Sequence, residues 1–126
     1  MKLTFLGTGT SQGIPVIACD CSICNSLDSK DKRLRTSAMI TIDSSNYVID
    51  TGPDFRQQML REKVQDVRAI LFTHEHKDHV AGMDDVRAFN FKYQKDMDVY
   101  CDLNVQKALL REYPYVFADF KYPGVP

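Results

Sequence analysis

Residues 67–79 read VRAILFTHEHKDH, a compact apolar run followed by a cluster of histidines. The length and composition of Val67 to Phe72 predict a buried strand, so we expect the histidines to stand just beyond a strand end. All three histidines of the chain fall in this cluster, as His74-x-His76-x-Asp78-His79. Packing rarely gathers histidines in this way, whereas imidazole and carboxylate are ligands that zinc, manganese and iron accept.

The spacing of this motif predicts a two-ion centre. A loop that leaves a strand end can direct His74 and His76 to one ion, while Asp78 and His79 turn toward a neighbouring ion. Two ions roughly 3.5–4 Å apart can share a water molecule, lower its pKa and hold the attacked and leaving oxygens. We therefore expect hydrolysis by a hydroxide activated at two divalent ions, which are zinc or manganese, with iron as a further option.

Strands and helices alternate on both sides of the motif, which predicts an α/β fold. A glycine-rich loop over 7–13 follows the first strand, and turn residues at 44–46 join two strands into a hairpin. The apolar patterns predict strands at 2–6, 37–43, 47–50 and 98–101, helices at 54–64, 78–91 and 103–112, and strand character at 115–117.

Composition favours a globular chain without a membrane segment. The 126 residues fit one domain, and no apolar run approaches the roughly 20 residues of a spanning helix. The apolar start at Met1 to Gly7 is too short for a signal peptide, so we expect a cytoplasmic protein. The net charge of -1 gives no overall field that would recruit nucleic acid or membrane.

Three of the four cysteines stand close together, as Cys19-x-Cys21-x-x-Cys24. In a reducing compartment, thiolate ligands to a metal are a better interpretation than disulfides. A structural zinc site is tetrahedral, so three cysteines fill only three of its four positions. Reduced cysteines without a metal remain the alternative. Cys101 follows a strand and is interpreted as a buried small residue, with a zinc-ligand role as a minor option.

These motifs together resemble the metallo-β-lactamase superfamily, whose metal motif is H-x-H-x-D-H after a buried strand. Residues 6–10, Leu-Gly-Thr-Gly-Thr, and residues 49–52, Ile-Asp-Thr-Gly, resemble further elements of that superfamily. The resemblance implies the N-terminal half of an αββα sandwich. It also implies that His74 and His76 bind the first metal and that Asp78 and His79 bind the second. Asp50 would lie beside the site, and Asp78 would help to orient the attacking water.

One branch of the superfamily is the more similar. The sequence Gly9-x-x-x-Gly13-x-Pro15 followed by the three cysteines resembles the branch of the phosphoribosyl cyclic phosphate phosphodiesterase. That resemblance implies a structural zinc on Cys19, Cys21 and Cys24, completed by a distant histidine. The pyrroloquinoline quinone biosynthesis protein B has a similar cysteine loop. Transfer-RNA 3′-processing endonucleases share the Leu-Gly-Thr-Gly start but normally lack the cysteine insertion.

Family members complete both metal sites with downstream ligands, and this chain has no histidine after His79. Asp84, Asp85 and Asp119 are the aspartates that we considered as substitutes, although their spacing does not suggest it. We therefore expect 1–126 to be a single incomplete domain that binds metal poorly, is inactive alone and associates with itself.

The expected substrate is a phosphodiester or cyclic phosphate in a small molecule, with nucleic acid less favoured and no membrane partner. One alternative is hydrolysis of a thioester, lactone or other acyl compound. A second is a non-catalytic metal-binding protein of cofactor biosynthesis. Arg33 and Arg35 can pair with phosphate oxygens, but a solvated loop is the interpretation that we favour.

Overall fold

The structure, a computed structural model, describes residues 1–118 as one mixed sheet with helices. The strands are β1 (Lys2–Gly7), β2 (Ser37–Ile42), β3 (Ser45–Ile49), β4 (Ala69–Leu71) and β5 (Asp98–Tyr100). The α-helices are α1 (Phe55–Arg61), α2 (Lys77–Val80), α3 (Arg87–Tyr93) and α4 (Leu103–Glu112), and 3-10 helices cover Ser29–Asp31 and Met83–Val86. The predicted α/β class is confirmed.

The sheet has the strand order β1-β2-β3-β4-β5. Strands β1, β2 and β3 pair antiparallel, and β2 and β3 form the predicted hairpin. Its turn places Asp43 and Ser44 at positive φ, 46° and 68°, a conformation that turns use. Strands β4 and β5 then pair parallel to β3, so three carboxyl ends meet at one edge of the sheet.

The core lies between one face of this sheet and the helices. Val48 and Ile70 from the sheet are fully buried, and they join Phe55 of α1, Val80 of α2 and Val105 of α4 in a single cluster. Burying side chains of this size stabilises the fold by about 1.5–3 kcal/mol each. Helix α2, which carries part of the histidine motif, is therefore fixed to the core through Val80.

The prediction of one continuous helix over 78–91 is wrong. The segment is divided into α2, the 3-10 helix and α3, and the backbone changes course around Gly82. The amide of Gly82 donates to the carbonyl of Thr51 at 2.7 Å, which removes it from a regular helical ladder. Apolar spacing does not reveal this contact, because the partner is far away in the sequence.

Two smaller expectations also differ. Residues 115–117 form turns and a bend instead of a strand. The predicted helix at 54–64 and the strand at 67–72 are present but shorter, as α1 and β4. Asp119 and the turn-rich end at 121–126 lie outside the described residues. Within the described part of the chain, every helix is too short or too polar to cross a membrane.

Candidate metal centre at the carboxyl edge of the sheet

The predicted site residues meet where β3 and β4 end. Ile49 of β3 pairs with Leu71 of β4, and the amide of Asp50 donates to the Leu71 carbonyl at 3.0 Å. Asp50 therefore leaves β3 beside the point at which Thr73 and His74 leave β4. This edge of a parallel strand pair is where α/β proteins commonly place ligands and reacting groups.

Asp50 is the buried acceptor at the centre of this edge, with 3% exposure and a positive φ of 62°. Its Oδ1 accepts from the Thr73 amide at 2.8 Å, and its Oδ2 accepts from the Thr73 hydroxyl at 2.6 Å. The same Oδ2 lies 2.8 Å from Nδ1 of His79. A buried carboxylate requires such partners, because burying it alone is costly. Asp50 is thereby locked in one orientation.

The bond to Asp50 determines how His79 presents its other nitrogen. A carboxylate only accepts hydrogen bonds, so Nδ1 donates to Asp50, and in the neutral ring Nε2 is then the nitrogen with the lone pair. Nε2 lies 3.3 Å from Oδ2 of Asp78. Metal-binding histidines are commonly fixed in this way by a carboxylate behind the ring. The pair of His79 Nε2 and Asp78 Oδ2 therefore fits a divalent cation.

His74 and His76 form a second pair of donors, next to the pair of Asp78 and His79. Their ring centroids are 4.1 Å apart at an interplanar angle of 80°. The ring of His74 also lies 5.4 Å from that of His79, so the two pairs are adjacent. Nδ1 of His74 lies 3.6 Å from the carboxylate of Glu75, which would form an ion pair only if the ring were protonated.

Two glycines allow the motif to lie against the strand end. A Cβ on Gly52 would come within 2.3 Å of the carbonyl oxygen of Asp78. A Cβ on Gly82 would come within 2.4 Å of the carbonyl oxygen of Gly52. Both separations are far shorter than real Cβ contacts, so any side chain here would push α2 away from Asp50. The close approach of the two backbones holds His79 within reach of Asp50.

Helix α4 holds α2 from the opposite side. Lys77 forms an ion pair with Glu112 and lies over the ring of Tyr113, 5.0 Å from its centroid. The hydroxyl of Tyr113 donates to the Val80 carbonyl at 3.0 Å. Hydrogen bonding to Glu112 raises the pKa of Lys77, and the Lys77 ammonium correspondingly lowers the pKa of Glu112. These contacts position the helix that carries Asp78 and His79.

Sequence reasoning did not find Thr73, Glu112 or Tyr113. Thr73 stands immediately before the histidine motif, and a hydroxyl next to predicted ligands is a signal that could have been used. Glu112 and Tyr113 act across more than thirty residues of sequence. No local pattern identifies such partners.

The cysteine loop is a separate cluster of donors. Three or more His, Cys, Asp or Glu residues that lie close together can hold a metal ion. Within residues 1–118, Cys19, Cys21 and Cys24 are the only such group whose ligand atoms all lie within 4.8 Å of one another. The amide of Val16 donates to the sulfur of Cys24, and the amide of Cys24 donates to the sulfur of Cys21, both at 3.4 Å. All three are free thiols.

The amide of Cys24 is the main reason why the pKa of Cys21 falls to about 7, and the neighbouring thiols act in the same direction. The pKa of Cys24 is raised. The Val16 amide opposes that rise, but burial and the Cys19 and Cys21 thiols outweigh it. This arrangement favours one thiolate in a compact group, which is the state in which cysteine binds metal.

Arg35 has a structural role that the favoured solvated-loop interpretation did not anticipate. Its Nη1 donates to Oδ1 of Asp54 at 2.9 Å, and its amide donates to Oδ2 of the same carboxylate at 2.8 Å. Its Nε donates to the Ser11 carbonyl at 3.0 Å, which ties the glycine-rich loop to the start of α1. Arg33 is partly exposed and lies 3.9 Å from Asp31.

The other candidate ligands lie elsewhere. Asp84 accepts from the Tyr115 hydroxyl at 2.5 Å, and burial together with this bond raises the pKa of Tyr115 to about 12. Asp85 lines a cavity on the helical side of the molecule. Cys101 is exposed, not buried as the sequence suggested. Partial desolvation of its sulfur and the nearby Asp102 carboxylate raise its pKa.

Comparison with known proteins identifies the family. A model described as "Beta-lactamase superfamily domain" matches residues 45–126, which include Asp50 and the whole histidine motif. The chain belongs to the metallo-β-lactamase superfamily. Its mixed sheet with helices corresponds to the N-terminal half of the metallo-β-lactamase fold.

Three relatives show how the superfamily match extends. A crystal structure of a diphosphatase from the PhnP family superimposes with a TM-score of 0.88 at 43% identity, over 91% of this chain and 46% of that one. Zinc-bound PqqB from Methylobacterium extorquens shares the fold, with a TM-score of 0.75 at 23% identity, over 89% of this chain and 40% of that one. A protein named octanoyltransferase from Porphyromonas gingivalis is 42% identical over 100% of this chain and 25% of its own length.

The chain thus spans between a quarter and a half of the length of each of these three relatives. Histidine and carboxylate donors at the sheet edge agree with a superfamily that is typically hydrolytic, and they suit divalent metal ions.

Proposed function

We propose that this chain forms the N-terminal part of a two-metal hydrolase that cleaves a phosphodiester or cyclic phosphate in a small molecule. One observation carries the proposal. Asp50 holds Nδ1 of His79 at 2.8 Å, and this leaves Nε2 beside the carboxylate of Asp78 at 3.3 Å. A carboxylate behind the ring commonly orients a metal-ligating histidine, and here an aspartate lies beside the other ring nitrogen as a second donor. Packing alone does not require this arrangement.

The donors form two pairs, which supports two ions. His74 and His76 would hold the first ion, and Asp78 and His79 would hold the second. Bound ions would lower the pKa of water and polarise a phosphoryl oxygen, as divalent zinc, manganese or iron can do. Asp78 would also orient the attacking water. Each pair supplies only two ligands, so we propose that polypeptide beyond these 126 residues supplies the others.

The branch of the superfamily supports a phosphorus-containing substrate. The diphosphatase is 43% identical to this chain and covers 91% of it, which supports a phosphorus-containing substrate here. The octanoyltransferase name describes a protein of which this chain spans 25%, so its activity is weaker support for acyl chemistry here. Hydrolysis of a thioester or lactone is therefore the second candidate. A metal-binding role in cofactor biosynthesis is the third, and the likeness to PqqB in fold favours it.

We propose further that Cys19, Cys21 and Cys24 hold one structural zinc. Their sulfurs already lie within 4.8 Å of one another, and three thiolates leave one position for a ligand from elsewhere. The protein would act in the cytoplasm, where reduced thiols persist. Nucleic acid is a less favoured substrate, because the chain has a net charge of -1 and no basic excess.

The experiment that tests this function is an assay of the complete, metal-loaded protein on bis(p-nitrophenyl) phosphate and on an acyl thioester. We expect turnover of the phosphodiester that chelation removes and added zinc or manganese restores. Turnover of the thioester alone would favour acyl hydrolysis. No turnover of either substrate by protein that retains its metal would favour the non-catalytic role.

A further inference from the structure

A second concave surface lies on the outer, helical side of the molecule. It is a cavity of about 460 Å³ between α1 and α3. This volume is within the range of roughly 300–1,000 Å³ that small-molecule sites occupy. The lining does not include any of the histidines or cysteines discussed above, so the cavity is distinct from the candidate metal centre.

The floor of the cavity is apolar and already formed. Phe55 is 1% exposed, and its ring meets that of Phe89 edge to face at a centroid distance of 6.4 Å. The Cβ of Phe55 lies so close to Gly82 that a Cβ added there would approach it to 2.7 Å. Met59 is buried beside it. Because these side chains are fixed by the core, a ligand would not have to order them on binding.

The rim of the cavity is basic. Arg56, Lys63 and Lys92 line it, against the single carboxylate of Asp85. Lys92 is engaged, since its ammonium donates to the carbonyl and side-chain oxygens of Gln65 at 3.2 and 3.0 Å. The Arg56 guanidinium and the Lys63 ammonium make no hydrogen bond or ion pair with any residue of 1–118. Two cations therefore stand free beside an apolar floor in a chain whose net charge is -1.

We propose that this cavity binds a small organic anion with an apolar body, such as an aryl carboxylate. The apolar body would lie against Phe55, Met59 and Phe89, and the carboxylate would lie between Arg56 and Lys63. An apolar pocket with a few convergent charged groups has the general character of a small-molecule site. The basic rim would repel cationic ligands and would add little binding free energy for neutral ones. The charge of the rim therefore defines the class of ligand.

The probe is 2-naphthoate, titrated into the complete protein and followed by its own fluorescence. The chain has no tryptophan, which keeps the background from these residues low. We expect a single site, and we expect 2-naphthamide, which has the same rings without the charge, to bind about tenfold more weakly, as the loss of two partly exposed charge contacts implies. Equal affinity for the acid and the amide would overturn the proposal.

Two kinds of variant locate the site. Arg56→Gln and Lys63→Gln should each weaken binding of 2-naphthoate about threefold, whereas Lys107→Gln on the exposed side of α4 removes an equal charge and should have no effect. Ala88→Phe places a ring inside the cavity and should abolish binding. Arg56, Lys63 and Ala88 are exposed, so these proteins should fold, and circular dichroism checks each one.

If Ala88→Phe folded and still bound 2-naphthoate with unchanged affinity, the cavity would not be the site. If Ala88→Phe failed to fold, the paired Gln variants and Lys107→Gln would decide, and equal affinities among them would overturn the proposal.

Discussion

Asp50 orients His79 of the histidine motif, although in the proposed site it would not itself touch a metal. It is buried, it adopts a left-handed backbone conformation, and its carboxylate accepts hydrogen bonds from both Thr73 and His79. A residue held in a costly conformation by its surroundings commonly marks a functional position. Asp50 is therefore best described as a positioning residue that fixes the tautomer and orientation of His79.

The variant Asp50→Asn tests this role. An amide can present a donor to Nδ1 of His79, so it no longer enforces the tautomer that leaves Nε2 free. We expect metal affinity of the complete protein to fall about 10–100-fold, as is typical when the partner behind a ligating histidine is lost. Competition with a chelator measures the affinity. Asp43→Asn, in the exposed hairpin turn at a positive φ that asparagine tolerates, is the matched control and should bind metal normally.

His76→Ala in the complete protein should lower the amount of bound metal and abolish hydrolysis, because it removes one of the two donors that this chain offers to the proposed first ion. Elemental analysis and the phosphodiester assay measure the two effects. All three histidines of the chain lie in the motif, so the control is an exposed residue elsewhere, Lys107→Ala. Unchanged metal content and activity in His76→Ala would refute the assignment of the motif to metal binding.

Among the secondary-structure elements, those with strong local patterns were predicted well. The hairpin of β2 and β3, the strand before the histidines and helix α4 all appear where apolar spacing and turn residues place them. The break between α2 and α3 was not predictable, because it depends on Gly82 meeting Thr51 and Gly52 across the fold. Periodicity reports only which face is buried, and long-range backbone contacts leave no such periodic trace.

In the candidate site too, local features were predicted from the sequence and long-range contacts were not. The residue types and spacing predicted that His74, His76, Asp78 and His79 stand together after a strand, and the structure places them there as two adjacent pairs. The structural role of Arg35 was not predictable, since its partner Asp54 is nineteen positions away. Resemblance placed Asp50 near the site, but the bond from His79 that gives Asp50 its role comes only from the structure.

The cysteine loop is the element whose proposed zinc can be tested alone. Cys21→Ser in the complete protein should lose the structural zinc and lower thermal stability more than activity per folded molecule. If about 2 kcal/mol of stability is lost, the Tm would fall by roughly 4 °C for a protein of about 250 residues. Cys101→Ser is the matched control, because that cysteine lies outside the cluster. A Cys21→Ser protein with the same zinc content and the same Tm would argue against a structural metal.

The whole described molecule has one covered and one uncovered sheet face. The helices pack against the face that bears Val48 and Ile70, and the strand registers place two apolar rows on the other face. The first row is Phe5, Ala38, Ile49, Leu71 and Tyr100, and the second is Leu3, Ile40, Tyr47 and Ala69, which ends at the charged Asp98 on β5. Phe5 is 67% exposed and Tyr100 is 60% exposed. Such a contiguous surface is typical of an interface.

From this face we predict that the 126-residue chain by itself associates into a homodimer. Two copies related by a two-fold axis can pack sheet against sheet, since such an interface presents the same patch on both sides. Among residues 1–118, strand β1 also lies at the edge of the sheet and has one unpaired side, so exchange or addition of strands is a second route. Analytical ultracentrifugation of the chain at micromolar concentration measures the outcome, and we expect a dimer.

The variant Phe5→Asp identifies the surface responsible. It places a carboxylate at the β1 end of the first apolar row, and two-fold symmetry would bury it twice, so we expect dimerisation to weaken by more than about tenfold. Leu103→Asp is the matched control, because Leu103 is equally apolar and 71% exposed but begins α4, away from the sheet face. A wild-type chain that sediments as a compact, cooperatively folding monomer and binds no apolar dye would show that this face needs no partner.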